Sequence, residues 1–348
     1  MNKLIVSVSP HIVSDSSTRK IMLDVCIALV PALISSIVFF GFYALFLVLL
    51  TVGSAVLGEF LYNAIRKKPQ TIGDCSAVVT GLLLGLNLPV TVPFYVPIIG
   101  GFFATMIVKM LFGGIGKNFA NPAITARIFL LLAWTTFMTK FVPPIDIKNW
   151  GGECWKYFNC ALNGGGEWIS EIASATPLSA FKSGNNDLNL LHMFLGYTGG
   201  SIGETCIPAL LLGGIYLLAK RVIDWKIPTI FICTTVLFTL IFGGVSAILP
   251  NLLGGGLFLG AFFMATDYST TPNTKLGVCI FAFGCGFLTV LIRFFGGYPE
   301  GVSFAILLMN ILTPLLDKWI VPKPFGFVRK KKEKPVKAEG DKALKEGK

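Results

Sequence analysis

The sequence predicts an all-α polytopic membrane protein of about ten transmembrane helices, some of them broken. Three observations predict it. Of 348 residues, 54% are hydrophobic and only 14% charged, where a soluble domain carries about a quarter charged residues. Mean hydropathy is +0.74, and apolar runs recur along the chain with Gly/Pro interruptions inside them. Lys and Arg gather in alternate connections, the pattern of a multi-pass chain with a positive inside.

The elements follow in order. Residues 1–20 are polar and lack the apolar core of a cleavable signal peptide, so the start is expected to stay cytoplasmic. The apolar run 21–65 would be about 68 Å long as one helix, more than twice the hydrocarbon thickness. It must fold back, and Gly41-Phe42-Tyr43 is the expected place. Further spans are expected at 74–90, 94–112 and 123–141, closing a first membrane half over 21–141. After a polar loop at 142–202, a second half over 203–321 holds spans at 203–219, 228–244, 250–266, 276–295 and 302–320. "NLPVTVP" (87–93) and "GGVSAILPNLLGGG" (243–256) break the pattern. Such breaks are tolerated at membrane depth only where protein or a cavity covers the freed backbone groups. The tail 322–348 is basic, aperiodic and expected to be disordered.

Orientation comes from charge. With ten crossings and a cytoplasmic start, the cytoplasmic segments hold 24 of the 29 Lys/Arg, counting Lys109 and Arg127 among them. Lys140, Lys148, Lys156, Lys182 and Arg293 stay outside. Both termini are then cytoplasmic in an inner or plasma membrane, and 142–202 is extracytoplasmic.

Composition also excludes functions. The net charge of +11 is concentrated in the tail, with no basic stripe interleaved with aromatics in the folded part, so no nucleic-acid partner is expected. An anionic lipid surface is the simpler partner. The eight cysteines are scattered without zinc or cluster spacing. Cys154 and Cys160 share the outer loop, where they either pair in an oxidising compartment or remain free. His11 and His192 are far apart in sequence and read as surface or cap residues. "GGIGKN" (113–118) has the wrong spacing for a P-loop, and no nucleophile elbow or paired carboxylates occur. Nothing here binds a dinucleotide.

Distinctive polar stretches lie at the membrane edges: "TIGDCSAVVTGLLLGLNLP" (71–89), "LFGGIGKNFANPAITAR" (111–127), "SATPLSA" (174–180) and "ATDYSTTPNTKLG" (265–277). With "EGVSFAILLMN", and over about residues 5–325, this ordered set resembles the RnfD/NqrB family. Its members are the D-type membrane component of the Rnf electron-transport complex and its counterpart in the sodium-pumping NADH:quinone reductase. That resemblance implies an inverted-repeat bundle similar to urea-channel-type folds. A short echo agrees with it: "TIGDCSAVVTGLLLG" (71–85) against "SIGETCIPALLLGG" (201–214), starting on opposite sides.

The resemblance also implies cofactors. In that family a threonine of an S-G-A-T-type motif carries FMN through a phosphoester. Ala173-Ser174-Ala175-Thr176 places Thr176 at that position, with Ala173 departing from the usual Ser, and makes 142–202 the flavin-bearing loop. A short loop of small residues suits the phosphate and the transferase that delivers it, and Pro177 biases Thr176 toward extended geometry. The alternative is an ordinary helix cap before "PLSAF". A second, non-covalent flavin (riboflavin) is implied near the cytoplasmic edge, at Asn118 and Asn121 of N-x-x-N-P-A. The alternative there is that both asparagines cap the next span, with Pro122 at its first position. Of the ionisable residues in or beside spans (Asp24, Glu59, Asp74, Glu204, Asp267), Asp267 and Asp74 are the candidates for an ion path. The expected function is electron transfer coupled to sodium or proton transport, within a ferredoxin:NAD oxidoreductase whose other Rnf components are C, G, E, A and B. Those partners would hold the ferredoxin and NAD sites. A non-redox channel of the same fold is the alternative.

Overall fold

The computed structural model describes residues 17–145, 150–152, 154, 155, 158, 175–184, 189–297 and 300–321. The first helix, α1 (Thr18–Ile65), starts where the Ser17 side chain accepts from Lys20 N. It is divided at Gly41, whose φ of 74° and ψ of −167° leave helical geometry. Glycine alone takes that conformation cheaply, and a Cβ here would stand 2.6 Å from Cys154 Sγ. The kink frees backbone groups that the next segment collects. Phe42 N donates to Cys154 Sγ at 3.1 Å, Trp150 Nε1 donates to Val38 O at 3.0 Å, and Ile145 N donates to Phe39 O at 2.8 Å. Val142, Ile145 and Cys154 form a small apolar cluster of their own beneath it. Cys154 is therefore a packing residue, and Cys160 lies outside the described residues.

Helix α2 (Ser76–Leu86) packs closely on α1, because Gly81 and Gly85 present no side chain to it. A Cβ on Gly81 would sit 2.6 Å from Val52 Cα, and one on Gly85 3.1 Å from Val48 Cα. This is the small-xxx-small approach through which membrane helices gain van der Waals contact. Helix α3 (Tyr95–Phe102) runs on as a π-helix over Phe103–Met110, and α4 (Pro122–Ala133) is followed by the single turn α5 (Thr135–Met138). After α6 (Pro177–Lys182) and α7 (Leu190–Leu195) come α8 (Ile207–Ala219), α9 (Lys226–Gly243) and α10 (Val245–Leu253). The short α11 (Leu257–Leu259) passes into a second π-helix over Gly260–Met264, and α12 (Lys275–Phe295) and α13 (Val302–Trp319) complete the bundle. Hydroxyls inside these helices are satisfied locally: Thr51, Thr80, Thr105, Thr235 and Thr289 each donate to the carbonyl four residues back. Such back-bonding lets a polar side chain sit in an apolar helix.

Each expected apolar run contains a helix, but the helices are not uniform spans. Among the described residues α1, α9, α12 and α13 are long and apolar enough to cross a membrane, with α10 and the following helix bent by 66° as a fifth, broken span. Helices α2, α4 and α8 have 11, 12 and 13 residues, or about 17–20 Å against a hydrocarbon core of about 30 Å. Each is too short to cross the core alone. The segment 243–256, read from sequence as a broken connection, contains a helix of its own, α10, entered through Gly244 at φ 74°.

Two charges differ from the sequence reading. Lys109 and Arg127, counted with the cytoplasmic connections, are both buried. Arg127 faces the same glutamates as Arg293, which the sequence reading placed on the opposite side. Both sit among helix ends, where buried carboxylates hold them. Setting aside these three buried residues leaves twenty-two Lys/Arg on the segments expected to be cytoplasmic against four on those expected outside.

Candidate functional site

Polar chemistry collects at both ends of α2. At its first turn, Cys75 adopts a left-handed conformation (φ 61°) and Asp74 Oδ1 accepts from Ser76 N and Ser76 Oγ at 3.2 and 2.8 Å. Ser76 Oγ in turn stands 2.6 Å from Lys109 Nζ, which is 2.6 Å from Glu59 Oε2. The second Glu59 oxygen accepts from the Thr71 hydroxyl, and Asn63 donates to Thr71 at 3.1 Å. Buried charge is tolerated when paired and hydrogen-bonded, and this pair is both.

Beside it a cleft of about 90 Å³ is lined by Ser76, Lys109, Asn118, Asn121, Phe262, Phe263 and Asp267, with other apolar residues. Three residues picked from the sequence are thus brought together: Asn118, Asn121 and Asp267. Asn121 caps α4 by accepting from Ala123 N at 3.0 Å, with Pro122 at the first helical position. Its amide nitrogen donates to Met264 O at 3.2 Å, at the end of the second π-helix. The capping alternative therefore holds for Asn121, without removing it from the cleft. Asn118 does not cap α4; with its amide nitrogen turned inward it faces Lys109 O and Gly114 O at 3.3 and 3.1 Å. Asp267 accepts from Ser269 Oγ at 2.9 Å and Thr270 Oγ1 at 3.4 Å. Burial raises its carboxyl above the ordinary range, against the pull of those bonds. Asp74 is not among the lining residues and reaches the cleft only through Ser76. Asp24 accepts from Tyr216 at 2.9 Å.

At the other end, Leu86 O and Leu88 O accept from Gly203 N at 2.7 Å and Ile202 N at 2.9 Å. This joins α2 to the turn that starts α8. Here Glu204 occupies the place in "SIGE" that Asp74 holds in "TIGD". Arg127 donates to Asn87 Oδ1 at 2.9 Å and Ser303 Oγ at 2.8 Å, lies 3.8 Å from Glu204 Oε2, and is paired with Glu300. Glu204 Oε1 accepts from Ser201 N at 3.1 Å, and Glu204 Oε2 from Gly256 N at 2.9 Å. Arg293 donates to the carbonyls of Asn251, Gly254 and Gly255. The sequence reading noted Glu204 alone. The signal for Arg127 and Arg293 was available, since a charged residue inside an apolar run is a functional candidate whatever its sign; Glu300, in the connection between α12 and α13, carried no such signal.

Thr176 lies in this second region. It caps α6, its Oγ1 accepting from Ser179 N at 3.2 Å and standing 3.1 Å from Ser179 Oγ. It is 7% exposed and lines a cavity of about 20 Å³ with Gly199, Gly200, Gly254, Gly255, Glu204 and Glu300. Ala173 and Ser174 lie outside the described residues. Glycine backbone allows close approach to Thr176, and Arg293, near the same glycines, keeps an Nε without a partner among the described residues; the cavity itself has room for about one water and is lined by two glutamates, so it does not enclose a phosphate as it stands. The lining of the cleft suits a flat, mostly apolar ring system with a few polar edges, the usual composition of a cofactor site.

Four helices long and apolar enough to cross a membrane, a fifth broken span and several shorter apolar helices among the described residues define a multi-pass membrane protein. The chain belongs to the NQR2, RnfD, RnfE family, whose model matches residues 5–326. It is 43% identical to the D subunit of the Na(+)-translocating ferredoxin:NAD(+) oxidoreductase complex of Acetobacterium woodii, over 95% of this chain and 98% of that one. It is 41% identical to the D subunit of the proton-translocating ferredoxin:NAD(+) oxidoreductase complex of Clostridium ljungdahlii, over 93% and 97%. The D subunit of the ion-translocating oxidoreductase complex of Stutzerimonas stutzeri is 39% identical over 93% and 96%.

Proposed function

We propose that this chain is the D-type membrane subunit of an ion-translocating ferredoxin:NAD oxidoreductase complex, and that it carries electrons between two flavins. The observation that carries the reading is near-full-length similarity to two complex subunits so named. Their names differ in the ion at almost equal identity, so similarity does not choose between sodium and proton. FMN is attached through its phosphate to Thr176, delivered by a flavin transferase, and riboflavin occupies the cleft at Asn118 and Asn121. A flavin bound at either place supplies electron-carrying chemistry.

The chain's own residues do the rest. Asn118 and Asn121 offer donors and acceptors to a ring edge, while Phe262 and Phe263 exclude water from its faces. Asp267, at the mouth of the same cleft, is placed to hold a proton or a cation near it. The α2 helix, about 17 Å long, has one end at the cleft and the other at the Arg127–Glu204 cluster. Both termini face the cytoplasm, where the remaining components of the complex deliver and collect electrons. Fluorescence of the protein on a denaturing gel tests the reading: a covalent flavin survives denaturation, and a dark band returns the chain to the channel alternative.

A further inference from the structure

The cluster below Thr176 contains an inconsistency of hydrogen bonding that one proton removes. Arg127 stands between two carboxylates, paired with Glu300 Oε2 and 3.8 Å from Glu204 Oε2, and both glutamates line one cavity with Thr176. Both Glu204 oxygens already accept from backbone N–H groups, of Ser201 and Gly256. Glu300 Oε2 is held by Arg127, while Glu300 Oε1 is buried with no partner among the described residues. The side chains of Arg127, Glu204 and Glu300 are 8%, 4% and 19% exposed. An O–H on Glu300 turns its unsatisfied acceptor into a donor.

We infer that Glu204 and Glu300 hold one proton between them beneath Thr176, and that this pair is a proton-binding site serving the cavity they share with it. The charged groups facing Glu300 are Arg127 from α4, Glu204 from the turn before α8 and Arg293 from α12. Burial, then the Glu204 carboxylate, push the Glu300 carboxyl up to about 7, against the pull of Arg127 and Arg293. Charge counting gives the proton a purpose. Two arginines and two ionised glutamates are neutral, so a phosphodiester on Thr176 leaves one uncompensated negative charge beside the cavity, and one proton restores neutrality. Only the O–H bond forms; the proton comes from the water phase on the Thr176 side and returns to it. The link to Thr176 rests on the proposed flavin attachment; the paired proton does not.

Infrared spectroscopy of the purified complex, titrated between pH 5 and 9 (a span of about two units either side of 7), tests the pair. A protonated-carboxyl band that shifts on deuterium exchange is expected to disappear with a midpoint near neutral pH. Glu300→Gln, which keeps the size and can donate a hydrogen bond, should remove that band with assembly intact. Glu204→Gln should lower the midpoint by a unit or more, a tenfold loss of proton affinity. A wild-type complex without the band, or a Glu300→Gln complex that keeps it, overturns the inference. Thr176→Ala should also lower the midpoint; an unchanged midpoint, with flavin proven on wild-type Thr176 by mass, breaks the link between the two. An unmodified wild-type Thr176 sinks the flavin reading alone, and the band still decides the pair.

Discussion

Lys109 Nζ lies 2.6 Å from Glu59 Oε2, and the two side chains are 3% and 1% exposed. Each is the other's only ion-pair partner among the described residues. Removing one partner leaves an uncompensated buried charge, which costs about 3–5 kcal/mol. Lys109→Met is therefore expected to lower the detergent melting temperature sharply. The double variant Lys109→Met/Glu59→Gln should recover most of the loss, since a neutral amide still accepts from Thr71. A single variant as stable as wild type would show that the pair is hydrated in solution.

The π-helix that ends near Lys109 was invisible in the sequence, and so was the pairing. Glu59 and Lys109 are fifty positions apart, and no local pattern announces which buried cation meets which carboxylate. Gly41 was legible, because 21–65 is too long for one crossing and contains one glycine beside aromatic residues at its middle. The groups that repair its broken ladder, from Ile145, Trp150 and Cys154, were not, since they come from a segment with no helical period. The echo of "TIGD" in "SIGE" was legible as a repeat. Its chemical content, a carboxylate at the start of a half-length helix at each end of α2, needed three dimensions.

Asn118 and Asn121, treated alike from sequence, separate in the structure. Asn121→Leu removes a helix cap, costing about 1 kcal/mol, and the donor to Met264 O as well. Asn118→Leu removes no cap. Loss of non-covalent flavin is expected from both variants, with the larger drop in melting temperature from Asn121→Leu. Asn121→Asp should keep the cap and lose the donor, giving near-normal stability with weaker flavin retention. Flavin extracted after acid precipitation of each purified variant measures this; full content in all three would remove the cleft from the cofactor assignment.

Orientation gives a labelling prediction. Lys182 is exposed at the end of α6, and its Nζ donates to Gly296 O at the end of α12. A Lys182→Cys variant should react with a membrane-impermeant maleimide added to intact cells, while a cysteine placed in 66–68 should not. Reaction of position 182 only after the membrane is opened would invert the proposed topology.

The raised Glu300 carboxyl makes a prediction about pH. Its value moves from 4.5 to about 7 on folding, so the folded protein binds the extra proton between those limits. Its contribution is fully present below pH 4.5 and is lost as pH rises through about 7. At most, the shift corresponds to about 3 kcal/mol. Melting temperature should therefore fall across this window beyond the drift of the other groups, and Glu300→Gln should flatten the fall. A wild-type curve that rises across the same window would contradict the assignment.

Thr176 serves as the cap of α6, and that role separates two readings of the same residue. If capping were its whole purpose, Thr176→Ala would cost about 1 kcal/mol of local stability and leave electron transfer untouched. The proposed phosphoester predicts otherwise: Thr176→Ala should abolish gel fluorescence and electron flow in a complex that still assembles. Ser179 is the control, because Ser179 Oγ bonds Thr176 O at 2.8 Å and its loss disturbs the same turn without removing the ester oxygen. Thr176→Ser should cap as well and keep partial flavin, since it retains the oxygen and loses the β-branch that restricts its rotamer. Mass spectrometry of the 172–182 peptide from active complex reads the outcome directly. A peptide at its unmodified mass would leave Thr176 as a helix cap and nothing more.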